Sequence, residues 1–214
     1  MPIRVILVDD HAIVREGVKH VLETHADIRV VATFGEGRAA LDYAAEHQPD
    51  VAVIDVAMPG MNGIEAARQM RDACPATEIL MLSMHSSPEY VYQALRAGAS
   101  GYLLKESAGR EVAQAVRAVS AGRRYLSRRL EREAVEDYLR GRGDDDPLER
   151  LSAREREVLQ LTVEGRTSAE AAELLGLSPK SVETYRSRIM SKLDLEDMPA
   201  LVKFAIRHGI TSVE

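Results

Sequence analysis

The sequence of 214 residues predicts a doubly wound α/β domain with a five-stranded parallel sheet, followed by a small all-α helix-turn-helix domain. Three observations lead there. Short apolar runs alternate with amphipathic stretches through the first 122 residues, the alternation stops at Gly122, and from Leu151 onward only short helical segments with cap residues remain.

The strands are Ile3–Val8, Ile28–Phe34, Val51–Asp55, Ile79–Leu82 and Ser100–Leu103. Each is a run of β-branched or apolar residues without strict alternation, the pattern of a strand buried on both faces. Between and after them lie the helical stretches Ala12–Glu23, Glu36–His47, Gly63–Ala73, Pro88–Ala97 and Gly109–Ala121. Strand followed by helix, repeated, requires right-handed crossovers and puts helices on both faces of a parallel sheet. Past Gly122, Leu126, Leu130, Ala134 and Tyr138 recur every four residues and predict a charged helix over Leu126–Leu139. The polar stretch Gly141–Pro147 reads as a flexible linker. Helices are then expected near 152–164, 168–175, 179–193 and 197–208. The expected organisation is an α/β domain over 1–122, a helical and flexible linker over 123–149, and a helical domain over 150–214.

Composition narrows the classes. A hydrophobic fraction of 45% suits a folded soluble protein. Cys74 is the single cysteine, so no intramolecular disulfide forms, which fits a reducing compartment. The first residues carry no secretory core, and no apolar run approaches the ~20 residues that span a bilayer. A cytoplasmic protein without membrane attachment is therefore expected. The net charge of −6 argues against general affinity for polyanions, and its distribution is uneven. Residues 1–122 hold 11 basic and 16 acidic side chains, whereas 151–214 hold 9 and 10. In that last part Lys180, Arg186, Arg188 and Lys192 face only Glu183, a small basic stripe compatible with local contact to DNA.

In an open α/β sheet, ligands bind at the carboxyl ends of the strands. Asp9 and Asp10 follow the first strand, Asp55 ends the third, Ser83 follows the fourth and Lys105 follows the fifth. Clustered carboxylates repel one another unless a hard cation neutralises them, and Mg²⁺ favours such oxygen ligands. One carboxylate can then attack a phosphoryl group to give an acyl phosphate, while a hydroxyl and an ammonium hold its oxygens. A lone aspartate after a strand is ordinarily a turn former or helix cap. Five complementary polar groups on the correct strands point instead to a site.

Val-Asp-Asp-His (8–11), Asp55 to Gly63, Leu82-Ser83 and Gly101-Tyr-Leu-Leu-Lys105 resemble, in order and spacing, the signature segments of receiver domains, which have the flavodoxin-like fold. The resemblance implies that Asp55 is the phosphoacceptor. It also implies that Asp10 is a direct Mg²⁺ ligand, that Asp9 reaches the metal through water, and that Asp55 and the main-chain carbonyl of Ala57 complete the protein ligands. Ser83 and Lys105 are the implied phosphoryl contacts. Ser83 and Tyr102 resemble the switch pair, in which the hydroxyl moves towards the phosphoryl and the ring rotates inward behind it. By the same resemblance, His85 and Ala57 stand at positions that in receivers influence how water reaches the acyl phosphate. Ala57 has no side chain to orient a water, so slow self-dephosphorylation is expected.

In the C-terminal part, Ser152 and Glu155 form a capping-box pattern, Gly165 ends that helix, and Ser168 is expected to cap the next. Gly176 marks a tight turn, then Ser178 caps a helix with Pro179 at its first position. Helix, short glycine-containing turn, helix is the helix-turn-helix arrangement. These segments resemble the LuxR-type module, and receiver plus this module resembles the NarL/FixJ class of response regulators. The resemblance puts the motif at Ser168–Ser187 and the recognition helix at Pro179–Leu193. Val182, Ile189 and Leu193 fall on its core side. Lys180, Ser181, Glu183, Thr184, Ser187, Arg188 and Lys192 fall towards solvent as the expected DNA contacts. Glu183 stands where many relatives carry lysine, and Tyr185 where many carry histidine. Glutamate repels phosphate but accepts from cytosine N4, so Glu183 is expected to select bases rather than add general affinity. The alternative is local pairing with Ser187 or Lys180.

The implied function is a phosphorylation-dependent transcriptional regulator, phosphorylated by a sensor histidine kinase, that binds double-stranded promoter DNA. A homodimer on activation and contact with RNA polymerase are further expectations. Two alternatives are a Mg²⁺-dependent phosphatase with an aspartyl-phosphate intermediate, and a receiver that acts through protein contacts without DNA. Such phosphatases place a second acid two residues after the nucleophile, where Ala57 stands here. The caps and basic stripe count against the second.

Overall fold

The computed structural model describes residues 1–130, 135 and 146–211. The chain divides into two compact units, Met1–Asp137 and Tyr138–Glu214.

In the first unit, β1 (Ile3–Val8), β2 (Ile28–Phe34), β3 (Val51–Asp55), β4 (Glu78–Ser83) and β5 (Gly101–Leu104) are joined by α1 (Ala12–Glu23), α2 (Gly37–His47), α3 (Gly63–Ala73) and α4 (Pro88–Arg96), with α5 (Ala108–Ser120) after β5. With a sixth strand, β6 (Tyr125–Leu126), all pairings are parallel, in the order β2-β1-β3-β4-β5-β6. β3 is buried along its whole length and β1 and β4 nearly so, which explains their unbroken apolar sequence. One face of the sheet presents Val5, Leu7, Val53, Leu80, Leu82 and Leu103, which pack with Val18 and Leu22 of α1 and Val112, Val116 and Val119 of α5. Successive side chains alternate faces, so Ile6, Ile54, Met81 and Tyr102 are buried on the other face.

The sheet has six strands rather than the expected five. β6 (Tyr125–Leu126) pairs with Gly101 and Tyr102 of β5. At Gly122 the backbone turns with φ 70° and returns the chain to the sheet edge, where Ser127 N–H donates to the Tyr102 carbonyl at 2.9 Å. A two-residue strand has no periodicity to detect, yet it gives the edge of β5 backbone partners. Tyr125 also packs into the core, and its hydroxyl donates to Glu111 of α5 at 2.7 Å. The helix expected from Leu126 therefore does not begin there: Leu126 is in β6, and Ser127 leads into a turn that Leu130 N–H closes onto its carbonyl. The rest of that stretch, Val135 aside, and most of the expected linker Gly141–Pro147 lie outside the described residues.

The second unit opens with a short 3-10 turn, Pro147–Arg150, capped by Asp146. Four helices follow: α6 (Ala153–Val163), α7 (Ser168–Leu175), α8 (Pro179–Leu193) and α9 (Met198–Arg207). Leu151, Val158, Leu159, Leu161, Ala171, Val182, Ile189, Leu193 and Leu201 form its core. The Ser152–Glu155 capping box is complete. The cap of α7 is Thr167 rather than Ser168: Thr167 Oγ1 accepts from Glu170 N–H at 3.2 Å, and the Glu170 carboxylate accepts from Thr167 N–H at 2.8 Å. Only a residue three before Glu170 can close that reciprocal pair, which puts the cap one residue before Ser168 and makes Ser168 the first residue of the helix.

Candidate functional site

β1 leads into α1 and β2 on one side, while α2 carries the chain back across β1 to β3 on the other. The connections diverge between β1 and β3, which opens a crevice at their carboxyl ends. Asp9 and Asp10 lie at the end of β1 and Asp55 is the last residue of β3. The loop after β3 returns tightly, with Gly63 N–H donating to the Val56 carbonyl at 2.9 Å. A Cβ on Gly63 would sit 1.9 Å from the Asp55 carbonyl oxygen, so only glycine lets α3 start this close to the strand end.

Carboxylate oxygens of Asp9, Asp10 and Asp55, with one ring nitrogen of His11, lie within 4.8 Å of one another. Asp9 and Asp55 are each 2% exposed. Lys105 Nζ lies 2.7 Å from Asp55 Oδ2 and 2.8 Å from Asp9 Oδ2, so a single ammonium bridges two buried carboxylates. Burial pushes the Asp55 carboxyl up to about 6; the hydrogen bond and charge of Lys105 oppose this, and Asp9 adds to it. Burial also disfavours the Lys105 ammonium, but its hydrogen bonds to Asp55 and Asp9 outweigh that and raise its pKa. Three carboxylates and one ammonium leave the crevice net negative, and its oxygen-rich donor set fits a hard divalent cation. Asp10 is the more open acid, with His11 Nδ1 2.8 Å from Oδ1. His11 itself is largely exposed.

Ser83 ends β4, fully buried, next to the site. Its hydroxyl accepts from His85 N–H at 3.0 Å. The Tyr102 ring is already inward and fully buried, and its hydroxyl donates to the His85 carbonyl at 2.8 Å. Burial raises the Tyr102 pKa beyond its ordinary range, so the phenol stays a donor. The imidazole of His85 stacks on Tyr90 of α4 with centroids 4.2 Å apart. Burial, then Lys105, lowers the His85 pKa and favours neutral imidazole. Ser83 and Tyr102 thus both bond to the backbone of His85, an arrangement that sequence spacing alone does not show.

In the second unit, Ser178 accepts from Ser181 N–H at 3.1 Å and starts α8, and Gly176 closes α7 with φ 64°. Val182, Ile189 and Leu193 are buried as expected, and Lys180, Glu183, Thr184, Ser187, Arg188 and Lys192 are exposed. The basic stripe is less free than its sequence suggests. Arg186 bonds to Thr162, Ser168 and the Arg166 carbonyl. Lys192 Nζ lies 2.7 Å from Glu155, the same carboxylate that completes the cap of α6. Thr184 Oγ1 donates back to the Lys180 carbonyl at 2.9 Å, which turns its hydroxyl along the helix.

The family model described as "Response regulator receiver domain" matches residues 5–117, and that of "Bacterial regulatory proteins, luxR family" matches residues 149–205. The chain belongs to the response regulators. It is 37% identical to the oxygen regulatory protein NreC of Staphylococcus haemolyticus, over 95% of this chain and 97% of that one. It is also 37% identical to the transcriptional regulatory protein MctR of Rhizobium johnstonii, over 98% and 96%. Among solved structures, RcsB of Salmonella enterica serovar Typhimurium, bound to a promoter in the presence of a phosphomimetic, is similar with TM-score 0.61 and 28% identity, covering 99% of this chain and 100% of that one. The receiver domain of NarL from Mycobacterium tuberculosis is 42% identical, with TM-score 0.55, over 57% of this chain and 98% of that one. This response regulator is accordingly a transcriptional regulator with a receiver and a LuxR-type DNA-binding domain, and not a phosphatase. No helix among its described residues is long and apolar enough to cross a membrane.

Sequence reading places Asp9, Asp10, Asp55, Ser83 and Lys105 at one edge, and the resemblance adds Tyr102. It did not find the internal roles of Arg186 and Lys192. Both are charged residues on an otherwise polar helix face, and nothing local distinguishes a solvated cation from one bound to a distant helix.

Proposed function

We propose that Asp55 accepts a phosphoryl group from a sensor histidine kinase and that this modification controls DNA binding by residues 150–214. The bridge from Lys105 to both Asp9 and Asp55 carries this reading, because it holds two buried carboxylates and an ammonium where a phosphoryl group would need them. Asp55 forms an O–P bond as the donor's P–N bond breaks, and the electron pair leaves with the donor imidazole. Lys105 then holds a phosphoryl oxygen, and the Ser83 hydroxyl turns from His85 N–H towards the same group. Asp9, Asp10, Asp55 and the Ala57 carbonyl would hold Mg²⁺; when bound, it supplies the positive charge that lets carboxylates and phosphoryl oxygens share the crevice. Phosphorylation adds roughly two negative charges at Asp55. The response passes through Ser83 and Tyr102 to the face of α4, β5 and α5, and frees or pairs the helical domain.

Residues 1–122 serve as the receiver, 123–149 as the tether and 150–214 as the DNA reader, in a cytoplasmic protein. On DNA, Lys180 and Arg188 neutralise phosphates while Ser181, Glu183, Thr184 and Ser187 face base edges, with Lys192 at the distal end. A homodimer on activation is supported by RcsB, whose structures include dimers bound to DNA. A two-fold protein would read an inverted repeat and act on RNA polymerase at the promoter.

The test combines labelling and binding. With radiolabelled acetyl phosphate and Mg²⁺, the wild-type chain is expected to take up label and Asp55→Asn is not; an electrophoretic shift of promoter DNA should strengthen on phosphorylation and weaken with salt. Label uptake by Asp55→Asn equal to wild type, or equal DNA affinity before and after phosphorylation, overturns the reading.

A further inference from the structure

Arg186 sits in the middle of α8, on the helix expected to read DNA, and sequence alone counts it among the cations of the basic stripe. Its guanidinium is committed elsewhere. Nε donates to Thr162 Oγ1 at 3.0 Å, Nη1 to Ser168 Oγ at 3.1 Å and Nη2 to the Arg166 carbonyl at 2.6 Å. Those acceptors lie on the last turn of α6, on the first residue of α7 and in the loop between them. Thr162 is itself buried, and its hydroxyl donates to the Val158 carbonyl at 2.7 Å, so that acceptor is fixed in place. Arg186 lies four residues after buried Val182 and three before buried Ile189, which puts it beside the core stripe rather than opposite it.

We propose that Arg186 is a positioning residue for DNA reading: it fixes the angle of α8 against the α6–α7 corner and does not itself neutralise a phosphate. A planar fork can serve three acceptors on three segments at once, which a lysine ammonium on a flexible stem does not reproduce. Specificity depends on α8 entering the major groove at a set angle, whereas backbone attraction depends mainly on the number of cations presented. Arg186 therefore acts on sequence discrimination and leaves the count of phosphate contacts to Lys180 and Arg188. The inference rests on the DNA-binding reading above.

The test uses the full-length chain, phosphorylated with acetyl phosphate and Mg²⁺. Its probes are a duplex selected by the wild type from a random pool and a scrambled duplex of equal length. Arg186→Lys keeps the charge, and Thr162→Val removes one acceptor without touching α8. Both are expected to lose roughly tenfold in affinity for the selected duplex and less than about twofold for the scrambled one, with the slope of log affinity against log salt unchanged. Arg188→Ala is the contrast, expected to weaken both duplexes and to reduce the slope by about 0.9. If Arg186→Lys binds the selected duplex as wild type does while Arg186→Ala lowers the slope by about 0.9, Arg186 is a phosphate contact and the proposal fails. Equal losses on both duplexes for Arg186→Lys and Thr162→Val, matched by a smaller folded fraction in thermal unfolding, also overturn it. Failure of the wild type to select any duplex overturns the DNA-binding reading itself, and this inference with it.

Discussion

The buried carboxylate at the end of β3 makes a prediction about stability that does not depend on phosphorylation. Asp55 is 2% exposed and its pKa is raised from 3.8 to about 6, with burial the largest cause. A folded carboxyl that holds its proton more tightly than the unfolded one contributes stability that is fully present below pH 3.8 and lost as the pH rises through about 6. At ~1.36 kcal/mol per pH unit, the full loss is about 3 kcal/mol, of which roughly half falls between pH 5 and pH 8. Asp55→Asn removes the titration while leaving Lys105 paired with Asp9, 2.8 Å away. With divalent cations chelated, the variant is expected to be more stable than wild type at pH 8, and this advantage should shrink at pH 5 by roughly half of that loss. Urea unfolding followed by tyrosine emission measures it, because five of the seven tyrosines, Tyr43, Tyr90, Tyr92, Tyr102 and Tyr125, lie in the first unit. Added Mg²⁺ at pH 8 should stabilise wild type more than the variant, since it offsets the carboxylate repulsion that the variant lacks. An advantage that stays constant from pH 5 to pH 8, or a variant less stable than wild type at pH 8, would refute the electrostatic account of this crevice.

Gly63→Ala drives a methyl group into the Asp55 carbonyl, so α3 or the end of β3 must shift; a loss of about 1–3 kcal/mol in urea unfolding and slower phosphoryl uptake are expected. Neither should change if the backbone there is free to relax. Because Ala57 has no side chain to orient water, the phosphorylated chain should outlast an Ala57→Glu variant in a label-retention time course, and a half-life of only seconds for the wild-type chain sinks this idea. Glu183→Ala should relax preference at one base position of a selected site while altering overall affinity little; uniform weakening across a panel of duplexes contradicts a role in base selection. Thr167→Ala removes the reciprocal cap of α7 and should lower the stability of the second unit by about 1 kcal/mol in thermal unfolding, whereas Ser168→Ala should spare the cap itself. Equal losses from the two variants would place the cap wrongly.

Much of this protein was legible before any coordinates. The doubly buried strands announce themselves as apolar runs, and β1, β2 and β3 begin and end at the expected residues because each is bounded by charge or by turn formers. The acidic site was equally legible, since a parallel sheet delivers the residue after each strand to one edge, and Asp9, Asp10, Asp55, Ser83 and Lys105 hold those positions by sequence alone. The start of α8 followed from Ser178 and Pro179, whose capping chemistry is local. What tertiary structure decided is long-range pairing. β6 exists because the edge of β5 needs backbone partners and Tyr125 finds both the core and Glu111. Ser83 and Tyr102 both hydrogen-bond to the backbone of His85, which only folding brings between them. Arg186 and Lys192 belong to the basic stripe in the sequence, but their partners lie 18 to 37 residues away. Caps and periodicities are set by neighbours within a turn or a strand, so sequence states them outright; a hydrogen bond across a core is set by which helices meet, and no local pattern records that.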